Sequence, residues 1–237
     1  MSSELELVYF PLWAKVSSAL ALEHSGLPWK YTRPDDWKEL KPQLSWGCLP
    51  ILRGLPAEHQ QPAGSGAELG HEAAILGYVA MRAGERMAGT LVSEALISQQ
   101  LIGEGEDIYQ ALVRIKVGFL TKDEALEFWD RGAQNPATHN RKFGIFVILG
   151  LLEKFCQRCG LADQGKFTKS GVSVGECKLW ASLHALKCIE DGVFEELPGV
   201  GKFYQRFGQE PATLAVVSGE KTGGKLAQYF FKTSESA

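Results

Sequence analysis

Residues 36–52 read DWKELKPQLSWGCLPIL, a polar segment with two tryptophans that leads into a short apolar strand. Pro50 stands near the start of that strand, and a proline cannot donate a hydrogen bond to a central strand. Pro50 therefore either breaks the strand or occupies a turn. Because X-Pro bonds adopt the cis form at low cost, a cis bond at Leu49–Pro50 would turn the Leu49 backbone outward. Its N–H and C=O would then be free to pair with an extended peptide ligand.

The composition is that of an ordinary globular protein. The chain has 237 residues, of which 45% are hydrophobic and 22% are charged, which is enough for one large domain or two small ones. Its formal net charge of −3 gives no indication of binding to nucleic acid or to an anionic membrane. The N-terminal residues do not resemble a signal peptide, and no run approaches the roughly 20 apolar residues of a membrane helix. We therefore expect a cytoplasmic protein.

The cysteines indicate a reducing compartment, because their number, five, is odd and they show no dense spacing. Cys156 and Cys159 form a C-x-x-C pair, but the pair ends an apolar helical segment. A redox thiolate is instead stabilised where a helix begins after a strand. No second pair supplies zinc ligands. We expect neither a metal site nor a redox role for this pair.

The first third of the chain alternates between strand and helix patterns. Residues 5–10 read as a buried strand, 15–25 as a helix with Gly26 at its C-terminal end, and 29–33 as a second strand. This order predicts a parallel strand pair. After the strand at Ile51 we expect an exposed irregular segment at 53–66, a fourth strand at 67–69 and a helix at 71–82.

The rest of the chain has helical patterns. The expected features are a long helix from 91 to about 118 with a kink at 103–105, a capping box at Thr121 and Glu124, a loop at Asn135, an apolar helix at 143–156, a second capping box at Ser173 and Glu176 that opens a helix through Ile189, and a helix entered at Pro198. We expect domains at 3–84 and 90–220, joined by a linker within 82–90 and followed by a tail of unknown structure at 221–237.

The segment around Pro50 resembles the cytosolic glutathione transferases, most closely the sigma-like, Tyr-type branch. That family reads D-W-x-x-x-K before F-G-x-x-P-I-L, and the matching residues here are Trp37, Lys41, Gly47, Pro50, Ile51 and Leu52. The resemblance implies an N-terminal thioredoxin-like α/β domain followed by an all-helical C-terminal domain. It also implies glutathione as co-substrate, a small hydrophobic electrophile as second substrate, a role in detoxification and a homodimer.

Tyr9, at the end of the first strand, is the catalytic residue that the resemblance implies. A thiol with a pKa near ~8.5 is only a few per cent thiolate at neutral pH. A phenol that donates a hydrogen bond to the sulfur would favour the thiolate, and lowering the thiol pKa by about two units would make it dominant at pH 7. The alternatives are a core tyrosine at Tyr9, or thiolate donation by Ser17 or Ser18 as in the serine-type classes.

The resemblance also implies which residues bind the two substrates. Glutathione would contact Lys15, Trp37, Lys41, Leu49, Pro50, His71 and Glu72, with Lys41 pairing with the glycyl carboxylate. The hydrophobic substrate would contact Pro11, Trp13, Tyr109 and Val113. Trp37 and Lys41 have a simpler alternative as a half-buried loop tryptophan and a surface lysine. Trp46 is either an aromatic plug for the partner subunit or a local lid.

His71 and Glu72 depart most from the family pattern, which has Gln-Ser or Glu-Ser at the start of a helix whose N–H groups hold the γ-glutamyl carboxylate. The helix N-terminus favours an anion, but Glu72 replaces a hydroxyl with a like charge. At ~4 Å and an effective dielectric constant near 20 the repulsion is about 4 kcal/mol. Either Glu72 binds the ammonium group of the substrate, or the site has lost or changed its ligand. Cys48, where glutamine or lysine is commoner, is a milder departure.

Two classes of function remain open at this point. The first is a glutathione transferase, or a glutathione-dependent isomerase that would use the same site. The second is a non-catalytic binding or scaffold protein that keeps the fold while glutathione chemistry is lost through Glu72 and the altered 53–66 segment. Glutathione binding separates the two classes.

Overall fold

The computed structural model describes residues 4–60, 68–113 and 145–228. Its strands are β1 (Leu5–Val8), β2 (Trp29–Thr32), β3 (Ile51–Arg53) and β4 (Leu69–Gly70). Its helices are α1 (Ser17–Ser25), α2 (Trp37–Leu40), α3 (Glu72–Ala83), α4 (Glu85–Ala88), α5 (Val92–Val113), α6 (Ile145–Arg158), α7 (Val174–Lys187), α8 (Pro198–Gly208) and α9 (Pro211–Val217). The predicted capping box at Thr121 and the predicted loop at Asn135 lie outside the described residues.

The four strands form one mixed sheet in the order β2-β1-β3-β4. β1 and β2 are parallel, with Leu5 opposite Trp29, which confirms the pair predicted from the strand-helix-strand order. β3 runs antiparallel to both of its neighbours. The described elements after β4 are all helical. This confirms the predicted fold class, a thioredoxin-like α/β domain followed by an all-helical C-terminal domain.

Helix α1 connects the two parts of the molecule. It contacts α3 on the sheet side of the structure and α7 and α9 on the helical side, and most of its residues are buried. It ends where Gly26 adopts a left-handed conformation (φ 72°), as the sequence predicted. Near that end the His24 side chain forms a 2.9 Å hydrogen bond with the Thr213 hydroxyl of α9.

Side-chain caps define where the C-terminal helices begin. The predicted capping box at α7 is confirmed, because Ser173 Oγ accepts from the Glu176 N–H (3.3 Å) and Glu176 Oε2 accepts from the Ser173 N–H (3.1 Å). The helix entered at Pro198 is also confirmed. At its start the Glu153 carboxylate of α6 accepts from the N–H groups of Gly199 and Val200. These contacts satisfy donors that have no partner inside their own helix.

Several local predictions differ from the structure, among them the end of the first strand at Val8 and the fourth strand at Leu69–Gly70. Arg53 belongs to β3, so the irregular segment begins at Gly54, and residues 57–59 form a short 3-10 helix. The expected linker contains α4 (Glu85–Ala88). Helix α5 continues without a break through Gly103 and Gly105, because Gly105 serves close packing and not a kink. A Cβ at Gly105 would lie 2.9 Å from Lys178 Cγ and 3.0 Å from the Lys178 carbonyl oxygen in α7.

The first part of the tail folds back onto the loop that follows β1. The Ala227 N–H donates to the Pro11 carbonyl (2.8 Å), and the Ala227 carbonyl accepts from the Trp13 N–H (3.0 Å). The Arg33 guanidinium donates to the Gly223 carbonyl (3.0 Å). Residues 221–228 therefore have a defined place against the sheet domain. None of the described helices is long and apolar enough to cross a membrane.

Candidate functional site

The register of the sheet brings several predicted site residues to one edge. Val8, the last residue of β1, is opposite Ile51, and Ile51 is also opposite Gly70. Tyr9 follows β1, Pro50 precedes β3 and His71 follows β4, so these three residues lie at the same edge. The Leu49–Pro50 peptide bond is cis, the form that the sequence analysis considered.

Leu49 has main-chain groups that remain available at this edge. It is half-buried and lies one residue before the cis proline. Among the described residues, neither its N–H nor its C=O takes part in a hydrogen bond. An extended peptide could therefore pair with this residue through two main-chain hydrogen bonds.

Tyr9 lies at the predicted position but is largely enclosed. Its N–H donates to the Thr32 carbonyl of β2 (3.1 Å), and only 5% of the residue is exposed. Its ring packs in the hydrophobic core, with its centroid 6.0 Å from that of Phe10. This burial is compatible with the core-tyrosine alternative as well as with catalysis, so the catalytic role of Tyr9 stays a prediction.

Trp37 and Lys41 lie beside this edge, in and after the short helix α2. Asp36 caps α2 by accepting from the N–H groups of Lys38 (2.7 Å) and Glu39 (3.2 Å), which orients Trp37 as the first helical residue. The Trp37 ring meets Phe10 edge-on at 5.3 Å between centroids. The exposed Lys41 side chain extends back toward Trp37, with Nζ 6.0 Å from the ring centroid.

The start of α3 has an unusual backbone. His71 has φ 68° and ψ 129°, and it is the one residue other than glycine with positive φ in the described part of the chain. Such a conformation is uncommon for a side-chain-bearing residue and is found disproportionately at functional sites. No side chain caps the first turn of α3. The Trp46 ring lies 5.2 Å from the His71 ring and is 64% exposed.

Glu72 points into the protein and belongs to a buried cluster of charges. Its carboxylate is 6% exposed and accepts a hydrogen bond from Ser17 Oγ. It also pairs with Lys178 Nζ at 2.6 Å and with Lys15 Nζ at 3.1 Å. Both lysines contact Glu106 as well, at 2.8 and 3.2 Å. The like charge predicted at the ligand site is thus balanced within a set of two lysines and two glutamates.

This charge cluster, Lys15–Glu72–Glu106–Lys178, joins the two domains. Lys15 and Glu72 come from the sheet domain, whereas Glu106 (α5) and Lys178 (α7) come from the helical domain. Burial raises the pKa of Glu106, but the lysine charges and hydrogen bonds outweigh it and lower that pKa to about 2. Glu106 is therefore ionised at neutral pH, which provides an anionic partner for the buried lysine.

Sequence reasoning missed Lys178, the most buried member of the cluster at 2% exposed. It is separated from Glu72 by 106 positions, so no local pattern connects the two residues. The available signal was a lysine two positions after the capping Glu176, on a helix that is otherwise buried. Buried lysines require a charged or hydrogen-bonding partner.

The residues predicted to contact the second substrate lie in the segment after β1 (Pro11 and Trp13) and in α5 (Tyr109 and Val113). Trp13 is buried, and its ring centroid lies 4.3 Å from that of His184. Tyr109 lies beneath the charge cluster, with Lys15 Nζ 3.9 Å from its ring centroid. Pro11 contacts the tail through its carbonyl, and Val113 is the last described residue of α5.

The two alternative thiolate donors and the C-x-x-C pair are also located in the structure. Ser17 and Ser18 are fully buried, and the Ser17 hydroxyl already donates to Glu72. Burial raises the pKa of Cys156 to about 12, so its thiol is protonated at neutral pH. In the described ranges, no three potential ligands are grouped to hold a metal ion.

Comparison with solved structures identifies the fold. A sigma class GST of Fasciola hepatica is 19% identical, with a TM-score of 0.70 and coverage of 93% of this chain and 98% of that one. A Pi-class glutathione S-transferase of Onchocerca volvulus is 17% identical, with a TM-score of 0.66 and coverage of 94% and 95%. Prostaglandin synthase D of Nilaparvata lugens is 14% identical, with a TM-score of 0.65 and coverage of 91% and 97%.

No protein-family model matches the chain, and a search of curated proteins gives no match. The structural neighbours nevertheless cover nearly the whole chain and nearly all of their own lengths. The chain therefore has the glutathione transferase fold, as the sequence resemblance implied. At this level of identity the comparison establishes the architecture, and the chemistry has to be argued from the residues.

Proposed function

We propose that this protein is a glutathione transferase that conjugates the thiolate of glutathione to a small hydrophobic electrophile. The observation that carries the proposal is the edge formed by Tyr9, Leu49 and the start of α3. There the Leu49 main chain has no hydrogen-bond partner among the described residues, and Tyr9 follows the neighbouring strand β1. An extended tripeptide that pairs with Leu49 would bring its central cysteine to this edge.

The other site residues have assigned roles in the proposal. The uncapped first turn of α3 would receive the γ-glutamyl carboxylate, because helix N–H groups and the helix dipole favour an anion. Lys41 and Trp37 would contact the glycyl end, and the Tyr9 hydroxyl would stabilise the thiolate. We propose a cytoplasmic detoxification role, with domain limits of 3–84 and 90–220.

The second candidate is a non-catalytic binding protein with the same fold. Two observations favour it. Tyr9 is 5% exposed, and Lys15 and Glu72 form ion pairs with each other and within the charge cluster. In this case the protein would bind a peptide or another ligand at the Leu49 edge without activating a thiol. A glutathione-dependent isomerase would use the same site as the transferase and differ only in its second substrate.

Glutathione binding by calorimetry is the decisive first measurement. The proposal predicts saturable binding, retention on immobilised glutathione and turnover of a chlorinated nitrobenzene. Binding without turnover of any electrophile or isomerase substrate would favour the binding protein. Absence of binding would refute the proposal. If the parent does not bind glutathione but Glu72→Ser does, the glutamate at the start of α3 is the cause of the missing affinity.

We also propose that the protein is a homodimer. Trp46, Met81 of α3, and Val92 and Leu96 of α5 are all exposed apolar side chains. Exposed aromatic and aliphatic groups of this kind are typical of subunit interfaces. Sedimentation equilibrium should give twice the monomer mass, and Trp46→Ala should weaken association by about 2 kcal/mol if Trp46 is a plug. A monomeric parent protein would contradict this proposal.

A further inference from the structure

We propose that Lys178 determines the ligand specificity of this site, because its charge neutralises Glu72 and makes the start of α3 compatible with a carboxylate. This inference rests on the proposed function, since it concerns the same glutathione site. Lys178 lies in α7, where its ammonium group pairs with Glu72 and Glu106. It is therefore a positioning and charge-setting residue that acts through Glu72.

Glu72 stands at the start of the helix that forms the proposed anion site. It is the first residue of α3, so its carboxylate is attached to the residue whose N–H opens the proposed anion site. An ionised, unpaired Glu72 would repel a ligand carboxylate at close range, whichever way its side chain pointed. In the structure the side chain turns away from the helix start and is 6% exposed.

Two lysines pair with the Glu72 carboxylate in that orientation. Lys178 Nζ lies 2.6 Å from Glu72 Oε2, which is closer than Lys15 Nζ at 3.1 Å. Lys178 is 2% exposed, whereas the Lys15 side chain is 20% exposed and is screened more by water. Lys178 therefore supplies the stronger and less screened compensation of the Glu72 charge.

The close packing of α5 against α7 allows a lysine of α7 to reach this position. Gly105 of α5 leaves room for its side chain, because a Cβ at Gly105 would lie 2.9 Å from Lys178 Cγ. Glu106, the next residue of α5, pairs with Lys178 at 2.8 Å. The ammonium group thus lies between two carboxylates, one from each domain.

The test compares two ligands that differ only in the carboxylate concerned. Calorimetry would use glutathione and 4-aminobutyryl-cysteinylglycine, which lacks the α-carboxylate of the γ-glutamyl residue. With Lys178→Met we expect glutathione affinity to fall by about tenfold while affinity for the analogue is unchanged. Lys187→Met makes the same chemical change at a half-buried position at the end of α7, away from the charge cluster, and should alter neither affinity.

Two further variants keep the inference testable if Lys178→Met fails to fold. Glu72→Gln removes the charge that Lys178 neutralises, so the preference for glutathione over the analogue should rise. Adding Lys178→Met to Glu72→Gln should leave that raised preference unchanged, because Lys178 acts through the charge of Glu72. An unchanged preference in Glu72→Gln, or equal losses for both ligands in Lys178→Met, would overturn the inference.

Glutathione binding by the parent protein separates a failure of the Lys178 role from a failure of the proposed function. If it binds glutathione and Lys178→Met leaves the preference for glutathione over the analogue unchanged, the charge-setting role is wrong and the proposed function stands. If it binds neither ligand, the proposed function fails and the role of Lys178 fails with it.

Discussion

Glu72 takes its orientation from charges that are distant in the sequence. At the start of α3 its carboxylate would face water and any bound anion, whereas inside the protein it meets Lys15, Lys178 and the Ser17 hydroxyl. Pairing with two ammonium groups offsets the desolvation of the carboxylate. The charge that Glu72 places at the start of α3 is therefore compensated within the protein by a lysine on α7.

Tyr9 is the residue on which the catalytic proposal depends most directly. Replacing Tyr9 with phenylalanine should lower turnover by about tenfold or more, because it removes the hydroxyl that donates a hydrogen bond to the thiolate. Glutathione affinity should change little. Steady-state kinetics with a chlorinated nitrobenzene and calorimetry with glutathione check both expectations.

The matched control for this prediction is Tyr78→Phe, which also removes a phenol hydroxyl from a buried tyrosine. Tyr78 lies in α3, where its hydroxyl is 3.3 Å from His59 Nδ1. The Tyr78→Phe substitution should lower the free energy of unfolding slightly and leave turnover unchanged. Equal turnover in the parent and in Tyr9→Phe would show that the phenol does not activate the thiol.

At the scale of elements, the contact between α5 and α7 determines where the charge cluster forms. Gly105 brings the two helices together, and the Ser182 hydroxyl of α7 donates to the Gly105 carbonyl (2.7 Å). Gly175, in the first turn of α7, is equally close to α5, because a Cβ there would lie 2.1 Å from the Ser98 carbonyl oxygen. Small residues at both ends of the contact set the separation of the helices.

Gly105→Ala should destabilise the protein by about 1–3 kcal/mol, because the added methyl group would overlap Lys178 in a packed interface. Gly103→Ala is the matched control on the same helix, since a Cβ there meets no atom within 4 Å. That variant should be neutral or more stable by up to about 1 kcal/mol through helix propensity. Urea unfolding measures both changes, and equal effects at the two positions would contradict this account of Gly105.

At the scale of the whole molecule, contacts from the helical domain and the tail enclose the sheet domain. The charge cluster joins the domains near α3, and the His24–Thr213 hydrogen bond joins α1 to α9. The tail adds main-chain hydrogen bonds between Ala227 and the loop after β1. The two domains are therefore expected to unfold together.

The stability of the molecule should fall in mild acid because of His24. Burial, with smaller contributions from Arg86 and Arg206, lowers the pKa of His24 to about 4. Between that value and its unfolded value near 6.5, the unfolded chain binds a proton that the folded chain does not, so acid favours unfolding. Each such histidine contributes up to about 1.4 kcal/mol per pH unit, and burial lowers the pKa of His184 to about 4 as well.

His24→Gln tests this expectation, because it keeps a hydrogen-bonding group near Thr213 and removes the titration. The free energy of unfolding, measured in urea between pH 7.5 and 4.5, should depend less on pH in the variant than in the parent. A parent curve that is flat over this range would contradict the prediction, and so would one with the same slope as the variant.

Much of the fold was accessible from sequence because its signals are local. Hydrophobic periodicity identified β1, α1 and β2, Gly26 and the Ser173–Glu176 box identified helix ends, and the segment leading to Pro50 identified the turn before β3. These features depend on residues within a few positions of each other. The chain alone thus determined the order of its elements and the family that it resembles.

Only the tertiary structure decided how distant side chains are paired. Lys178 meets Glu72 across 106 positions, Gly105 serves an interhelical contact, and the tail near Ala227 lies against Pro11. Each of these contacts depends on how α5, α7 and the sheet pack, which is set by the summed burial of many side chains. Local sequence patterns carry no information on which buried charges will meet, because that is decided by the geometry of the packed domains.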